Sequence, residues 1–434
     1  MFSSIVLAAV FISSVLVIAI ATPVANKIGL VDRPGGHKQH THHTPLVGGV
    51  AILLSVFLAW LLAPLMGLSS MNSIFFAAAG LLFTIGLVDD SVQLSVRLRL
   101  VAQVMAALLL VYSKVVLEDL GYLLTDKPLA LGLLAIPLTI FATVGAINAL
   151  NMIDGVDGLA GLTSLVSFCL LAVVSHISGD KIQFLISICV IAGLCAFLLF
   201  NMPMKGREKA HIFMGDAGST LLGFILAYLL ISLSQGGSRA MSPVSTLWIF
   251  AIPLLDTLGV MIRRVWLKKS PFTADRGHIH HLLLDAGFRV RHAVLLIAAL
   301  QLGFGVLGLA GFYLGVPDIA SLIAFIFVFL GYVYLLSRPW RAVPKIRDLH
   351  RKTGLTIQAV RHIYVDGLSS DFKTVIAEVD TILGDDKQAY PYEIYRYAEP
   401  GHRAYSTYAL IDAGNTDSVK DLLNYLRDRI SIMN

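Results

Sequence analysis

About eleven apolar stretches, each near the 17–25 residues needed to cross a bilayer as a helix, dominate this sequence. They run near 3–21, 46–66, 72–88, 97–113, 129–147, 158–177, 183–200, 217–234, 244–266, 293–313 and 319–337. Helices are the economical fold for such a chain, because each satisfies its own backbone hydrogen bonds where lipid offers none. Only 14% of the 434 residues are charged, against roughly 25% in soluble domains. The expected fold class is an all-α polytopic membrane protein of about eleven transmembrane helices, and the lipid bilayer is its first partner.

The charge pattern orients it. Ala19-Ile-Ala21 resembles a cleavage site, but no basic segment precedes the first stretch as in a signal peptide, so it reads as a span. Lys27, Arg33 and Lys38 follow the first stretch; Arg97 and Arg99 follow the third; Lys205, Arg207 and Lys209 follow the seventh. Lys268, Lys269, Arg276, Arg289 and Arg291 follow the ninth, and Arg338, Arg341 and Lys345 the eleventh. Loops after even-numbered stretches are poor in Lys and Arg, as is the odd loop at 148–157. The positive-inside rule then puts the N-terminus outside and the odd loops in the cytoplasm. The formal charge of +5 reads as this bias plus attraction to anionic lipid; no nucleic-acid partner is expected. Cys169, Cys189 and Cys195 lie in apolar spans and read as small core residues.

Five acidic residues fall on odd loops. They are Asp89 and Asp90 in Gly86-Leu-Val-Asp-Asp90, Asp154 and Asp157 in Asn148-Ala-Leu-Asn-Met-Ile-Asp-Gly-Val-Asp-Gly158, and Asp216 in Phe213-Met-Gly-Asp-Ala-Gly-Ser219. A carboxylate beside a bilayer is costly without a partner or a task. Convergence of five at one face points to a divalent cation and a phosphate-bearing substrate. Asp89 and Asp90 end a helix, where the dipole disfavours negative charge; being adjacent, they cannot share a face and suit two separate tasks. Asp154 and Asp157 share a face if a helix begins there; Gly155 and Gly158 allow a ligand close to the backbone, and Asn148 and Asn151 add amides. An acidic first turn would explain Asp154 alone, not the repeated Asp-Gly pair with two Asn. Asp216 reads as a helix cap, with Gly215, Gly218 and Ser219 offering N–H groups to an anion.

Gly277-His-Ile-His-His281 sits in a long basic loop. Three His could hold zinc, but no Cys or Glu completes a set, so phosphate or sugar contacts are favoured. Lys38, among His37, His40, His42 and His43, is a phosphate candidate against a plain solvated loop. Asp256 reads equally as an ion pair with Arg263 or Arg264 and as a ligand contact.

Taken in order, Lys38 with Pro45-Leu-Val-Gly-Gly49, Asp89-Asp90, Asn148–Gly158, Phe213–Ser219, Pro253-Leu-Leu-Asp256 and His278-Ile-His-His281 resemble the motifs of the polyprenyl-phosphate N-acetylhexosamine-1-phosphate transferases. The resemblance covers residues 1–337, and the His-x-His-His pattern is similar to that of the WecA/TagO-like branch. His37 departs from the Arg expected before Lys38. The resemblance implies transfer of N-acetylglucosamine 1-phosphate from UDP-N-acetylglucosamine to undecaprenyl phosphate in the bacterial inner membrane, with release of UMP. It implies Mg²⁺, with Mn²⁺ able to substitute, held by Asp216 with Asn151 and the Asp89-Asp90 pair nearby. Asp154 and Asp157 would hold the nucleotide, aided by Asn201 and by stacking on Phe213; Arg276, His278, His280 and His281 would grip pyrophosphate and sugar. Whether Asp89 acts as a general base stays open, because a phosphate monoester is already mostly dianionic at neutral pH. The competing class is a cation-coupled transporter. Transporters place ionisable groups at the bilayer midplane on interrupted helices, and here the acids sit at helix ends.

Residues 338–352 form a basic linker expected along the inner leaflet. Residues 353–434 read as a small cytoplasmic α+β domain, regulatory or for pairing with a second copy. Strands are expected at 360–365, 390–397 and 404–411, with amphipathic helices at 371–383 and 417–430.

Overall fold

The computed structural model describes residues 2–32, 43–68, 72–266 apart from 205, 208 and 238, then 268, 270 and 277–353, and the strands at 362–368, 392–398 and 405–412. Lys38, Arg276 and the two expected C-terminal helices lie outside the described residues. The helices are α1 (Phe2–Ile28), α2 (Gly48–Leu65), α3 (Ser73–Val92), α4 (Val96–Tyr112), α5 (Ala135–Ile153), α6 (Leu159–Ser178), α7 (Lys181–Asn201), α8 (Gly215–Ser234), α9 (Pro243–Ile249), α10 (Ala251–Trp266), α11 (Ile279–Asp285), α12 (Val290–Tyr313), α13 (Asp318–Ser337) and α14 (Pro339–Lys352). Every apolar stretch of the sequence coincides with one of these, except 244–266, which is two. Among the described residues nine helices are long and apolar enough to cross a membrane, or ten if the bent pair α9–α10 counts as one span. The chain is a polytopic helical membrane protein.

Local chemistry sets the ends. Asn72 caps α3 by accepting from the Ile74 N–H at 2.9 Å, Asp180 caps α7 through the Gln183 N–H at 3.1 Å, and Ser242 caps α9 through the Val244 N–H at 3.1 Å. Each oxygen takes a donor that the first helical turn leaves unpaired. α9 and α10 bend by 81° at Phe250, so the apolar stretch at 244–266 is not one continuous helix. Pro253 has no N–H to give the Ile249 carbonyl four residues back, which explains why the break falls there.

The chain divides into two compact units, residues 1–257 with 294–328, and residues 258–293 with 329–434. In the first, α8 is the central helix: 94% of its apolar window is buried, against 17% for α13. α2, α3, α5 and α6 pack against it. A Cβ on Gly86 of α3 would come 2.4 Å from the Ala217 Cα, so the two backbones meet with nothing between them. Gly49 of α2 and Gly218 of α8 make a second such approach. Short antiparallel strands β1 (Val31–Asp32) and β2 (Thr44–Pro45) pair before α2.

At the opposite end of α8 from Asp216, Asp119 and Arg239 form a two-bond ion pair at 2.8 and 2.9 Å. Gln235 accepts from the N–H groups of Glu118 and Asp119, and Asp318 from the Tyr122 N–H. Burial raises the Asp119 carboxyl, but the Arg239 hydrogen bonds, the Gly121 N–H and the Arg239 charge outweigh it and hold it below its ordinary value.

In the second unit, α14 packs on α11. His350 is fully buried and stacks on Phe288 at 3.8 Å between centroids, and Arg347 donates to the Asp285 carbonyl at 2.7 Å. The basic segment after the last span is thus helical. Strands β3 (His362–Leu368), β4 (Tyr392–Ala398) and β5 (Tyr405–Asp412) form an antiparallel sheet in the order β3-β5-β4, each starting within two residues and ending within three of its expected position.

Candidate active site

The site is assembled around the first turn of α8. The leading N–H groups of a helix have no partner inside it, and here a neighbouring helix provides one. Asp90, in the last turn of α3, accepts from the Asp216 N–H at 2.7 Å and the Ala217 N–H at 3.2 Å. A carboxylate is favoured at this positive end of the dipole, which offsets its poor position at the end of α3. Gly215 has φ +73°, and a Cβ there would lie 2.5 Å from Asp90 Oδ2. The turn therefore requires glycine for both conformation and space.

With Asp90 as the cap, Asp216 does not cap its own helix. Its Oδ1 accepts from Asn151 Nδ2 at 2.5 Å, and the same amide donates to Ser219 Oγ at 3.0 Å. Asp89 lies beside Asp216 within hydrogen-bonding reach. Asp89 accepts from the Leu94 N–H at 2.6 Å and from Arg99 Nη1 at 3.1 Å. Arg99 Nη1 is also 4.0 Å from Asp216 Oδ2. The side chain of Asp89 is 4% exposed and that of Asp216 35%, so Asp216 is the carboxylate presented outward. The adjacent acids do separate work: Asp89 meets α4, and Asp90 meets α8.

Asp154, Gly155 and Asp157 occupy the turn between α5 and α6, not a shared helix face. Gly158 at φ +85° closes that turn. Buried Asn201 ties it down, accepting from the Gly158 N–H at 2.7 Å and donating to the Ile212 carbonyl at 2.8 Å. Asp157 accepts from the Ala210 N–H at 3.0 Å. Protein packed around Asp154, with the negative charges of Asp216, Asp157 and Asp90, pushes its carboxyl up to about 7, although the residue keeps solvent-exposed surface. Asn148 donates to Gln103 Oε1 at 2.7 Å and to the Val144 carbonyl at 2.8 Å, which fixes α5 against α4.

Half-buried Phe213 is held by its backbone. Its N–H donates to the Pro45 carbonyl at 2.8 Å and its carbonyl accepts from the Gly48 N–H at 3.0 Å. The Pro45–Gly49 motif is thereby stitched to the Phe213–Ser219 motif. His278, His280 and His281 belong to the second unit. His278 and His280 are buried with their rings stacked 5.5 Å apart, and His281 lies 4.2 Å from His280 at the start of α11.

The structure thus brings together Asp89, Asp90, Asn151, Asp154, Asp157 and Asp216. Two members were not singled out in the sequence. Arg99 stands in the sequence as one more positive-inside charge. Gln103, one turn on, is a buried polar residue in an apolar stretch, a signal that could have flagged it. Among the described residues no three His, Cys, Asp or Glu side chains form a closed metal cage. The side chains here that could take part in holding a cation are half-exposed Asp216 and its neighbour Asn151. Mg²⁺ is usually held by one or two carboxylates plus substrate oxygens and water, and here several carboxylates crowd around one arginine.

Residues 71–234 match the model of glycosyl transferase family 4. The chain is 38% identical over 354 residues to the undecaprenyl-phosphate alpha-N-acetylglucosaminyl 1-phosphate transferase of Salmonella typhi, spanning 80% of this chain and 94% of that protein. It is 37% identical over 350 residues to the protein of the same name from Escherichia coli strain K12, with the same coverage. To that of Haemophilus influenzae it is 36% identical over 343 residues, 79% of this chain and 96% of the relative. With its acids, amides and glycines converging on one helix terminus, the chain belongs to the undecaprenyl-phosphate alpha-N-acetylglucosaminyl 1-phosphate transferases of glycosyl transferase family 4.

Proposed function

We propose that the chain transfers N-acetylglucosamine 1-phosphate from UDP-N-acetylglucosamine to undecaprenyl phosphate. The products are UMP and the lipid-linked sugar pyrophosphate that initiates cell-envelope polysaccharide synthesis. The observation that carries this reading is the cluster at the α8 terminus, where Asp216 is presented outward and held by Asn151 beside Arg99. The relatives' names supply acceptor and sugar.

An acceptor phosphate oxygen attacks the sugar-linked phosphorus, and the bond to the UMP oxygen breaks. Such transfer is mostly positioning and charge neutralisation. Asp216 and Asn151 are the groups to hold Mg²⁺, which when bound neutralises charge between the two anionic reactants. Asp90 has both oxygens on the α8 backbone and keeps the first turn in place. Arg99 offsets Asp89 and leaves Asp216 available. The dianionic acceptor needs no general base. Asp154 and Asp157 line the turn assigned to the nucleotide, and His278, His280 and His281 are assigned to pyrophosphate and sugar.

The proposed membrane arrangement has eleven spans: the nine long helices, the 17-residue α4 and the bent pair α9–α10. The N-terminus is outside, and the site and C-terminal domain face the cytoplasm of a bacterial inner membrane, following the Lys and Arg bias. Residues 353–434 are a regulatory or pairing domain, and 338–352 link it to the membrane body.

Purified protein with Mg²⁺, undecaprenyl phosphate and UDP-N-acetylglucosamine should release UMP and form lipid-linked sugar pyrophosphate. Release of UDP instead would mean another glycosyl transfer and overturn the assignment. Asp216→Asn should lower turnover by roughly 10³-fold in a folded protein, as for loss of electrostatic stabilisation at a reacting phosphorus.

A further inference from the structure

The break between α9 and α10 exposes backbone groups inside an apolar bundle. Ile249 is fully buried and Ile252 nearly so. Pro253 removes the donor that the Ile249 carbonyl would otherwise use. The Ile252 N–H falls in the first turn of α10, where helices lack internal acceptors. Unpaired groups of this kind cost several kcal/mol in a bilayer.

Two side chains from other helices take their place. Gln301 of α12, fully buried, accepts from the Ile252 N–H at 2.8 Å through Oε1. Its Nε2 donates to the Ile249 carbonyl and, at 3.1 Å, to Ser167 Oγ. Ser167 of α6 donates to the same Ile249 carbonyl at 2.8 Å. One primary amide thus supplies both halves of the hydrogen bonding that an unbroken helix would have made. The fit is specific: Gln offers a donor and an acceptor on one planar group, and both ends are used.

We infer that Gln301, assisted by Ser167, is a splice that fixes the bend of the α9–α10 span, and that Gln301 is thereby a positioning residue for the transfer reaction. Asp256 lies three residues past Pro253, in the second turn of α10, and is fully buried. The direction of the bend decides where that carboxylate sits. Without the splice, the Ile249 carbonyl and Ile252 N–H gain by rejoining or by finding other partners, and either moves Asp256. The positioning role rests on the proposed transferase reading; the splice does not.

The test uses the full chain with its three cysteines replaced and nitroxides at Leu247 on α9 and Leu258 on α10. The wild-type background should give one narrow distance. Gln301→Leu should broaden it and lengthen it toward the roughly 16 Å Cα separation of an unbroken helix. Gln301→Glu should keep the narrow distance at a pH low enough to protonate the acid, because the neutral carboxyl again has one donor and one acceptor. A narrow, unshifted distance in Gln301→Leu overturns the splice, as does a Gln301→Glu protein that resembles Gln301→Leu in acid. On the activity side, Gln301→Leu should lower kcat about tenfold or more, as expected for a misplaced site group, with the donor KM within about twofold. A changed distance with unchanged kcat overturns the positioning role and leaves the splice standing. If the wild-type protein transfers no sugar phosphate, the functional reading fails while the distances still decide the splice.

Discussion

Gly86→Ala tests how tightly the site depends on the contact between α3 and α8. The added Cβ would stand 2.4 Å from the Ala217 Cα, 2.6 Å from its nitrogen and 2.9 Å from the Asp216 carbonyl carbon, all backbone. Carbon atoms rest about 3.5–4.0 Å apart, so α3 must withdraw by about 1.1 Å or more. Asp90 lies one turn further along the same helix face. Its bond to the Asp216 N–H, now 2.7 Å, would open to about 3.8 Å, beyond hydrogen-bonding range. Overpacking of this kind costs about 1–3 kcal/mol, and a 1 Å misplacement at a reacting centre costs about 10²-fold in rate. Gly86→Ala should therefore remain folded in detergent with a lowered Tm and lose about two orders of magnitude in UMP release. Gly80→Ala on the same helix is the control, since a Cβ there meets nothing within 4 Å; its turnover should match wild type. Wild-type turnover in Gly86→Ala would refute the claim that this approach sets the α8 terminus.

Arg99→Leu leaves Asp89 buried without its cation and should reduce turnover about 10²-fold, with Arg99→Lys recovering part of it; kinetics of both variants check this. The Asp154 carboxyl, held near 7, gains charge as pH rises through that value. A cation held at Asp216, whose charge acts on Asp154, should bind more tightly at about pH 8 than at about pH 6, and Asp154→Asn should flatten that dependence in Mg²⁺ titrations. A cysteine at Ser91 should be labelled only from the cytoplasmic side of oriented vesicles, because the Lys and Arg bias puts its loop there. The Asp119 carboxyl is held below its ordinary value, so its pairing with Arg239 stabilises the fold above about pH 4 and is lost as pH falls through its folded value. Asp119→Asn should therefore lower Tm at neutral pH and less so in strong acid, as measured by thermal scans.

Hydropathy made the helices legible, because lipid demands long apolar runs whatever the helices pack against. It could not show which helix is central: α8 and α13 read alike, yet one is enclosed and the other faces outward. The acidic motifs were legible as a set, since charge at a membrane face is conspicuous. Their division of labour was not, because Asp90 serves a helix that begins more than a hundred residues later. Asp216 looked like a cap for the same reason: a sequence shows the local acid and not the distant one that displaces it. Arg99 was hidden by its plausibility as a topology signal. The break in the ninth span was foreshadowed by Pro253, but its partners lie 82 residues before it and 52 after it.

That spacing gives the broken span a history. During synthesis Ser167 leaves the ribosome first, the break follows, and Gln301 comes last. For the interval in which some fifty residues are made, the Ile249 carbonyl and Ile252 N–H lack the Gln301 amide that joins them. Hydrocarbon does not tolerate that backbone, so the segment must wait near the interface until α12 enters beside it. The bend is therefore a late event of assembly, and a nascent chain stopped before Gln301 should hold this segment in a water-accessible position that the finished protein never shows.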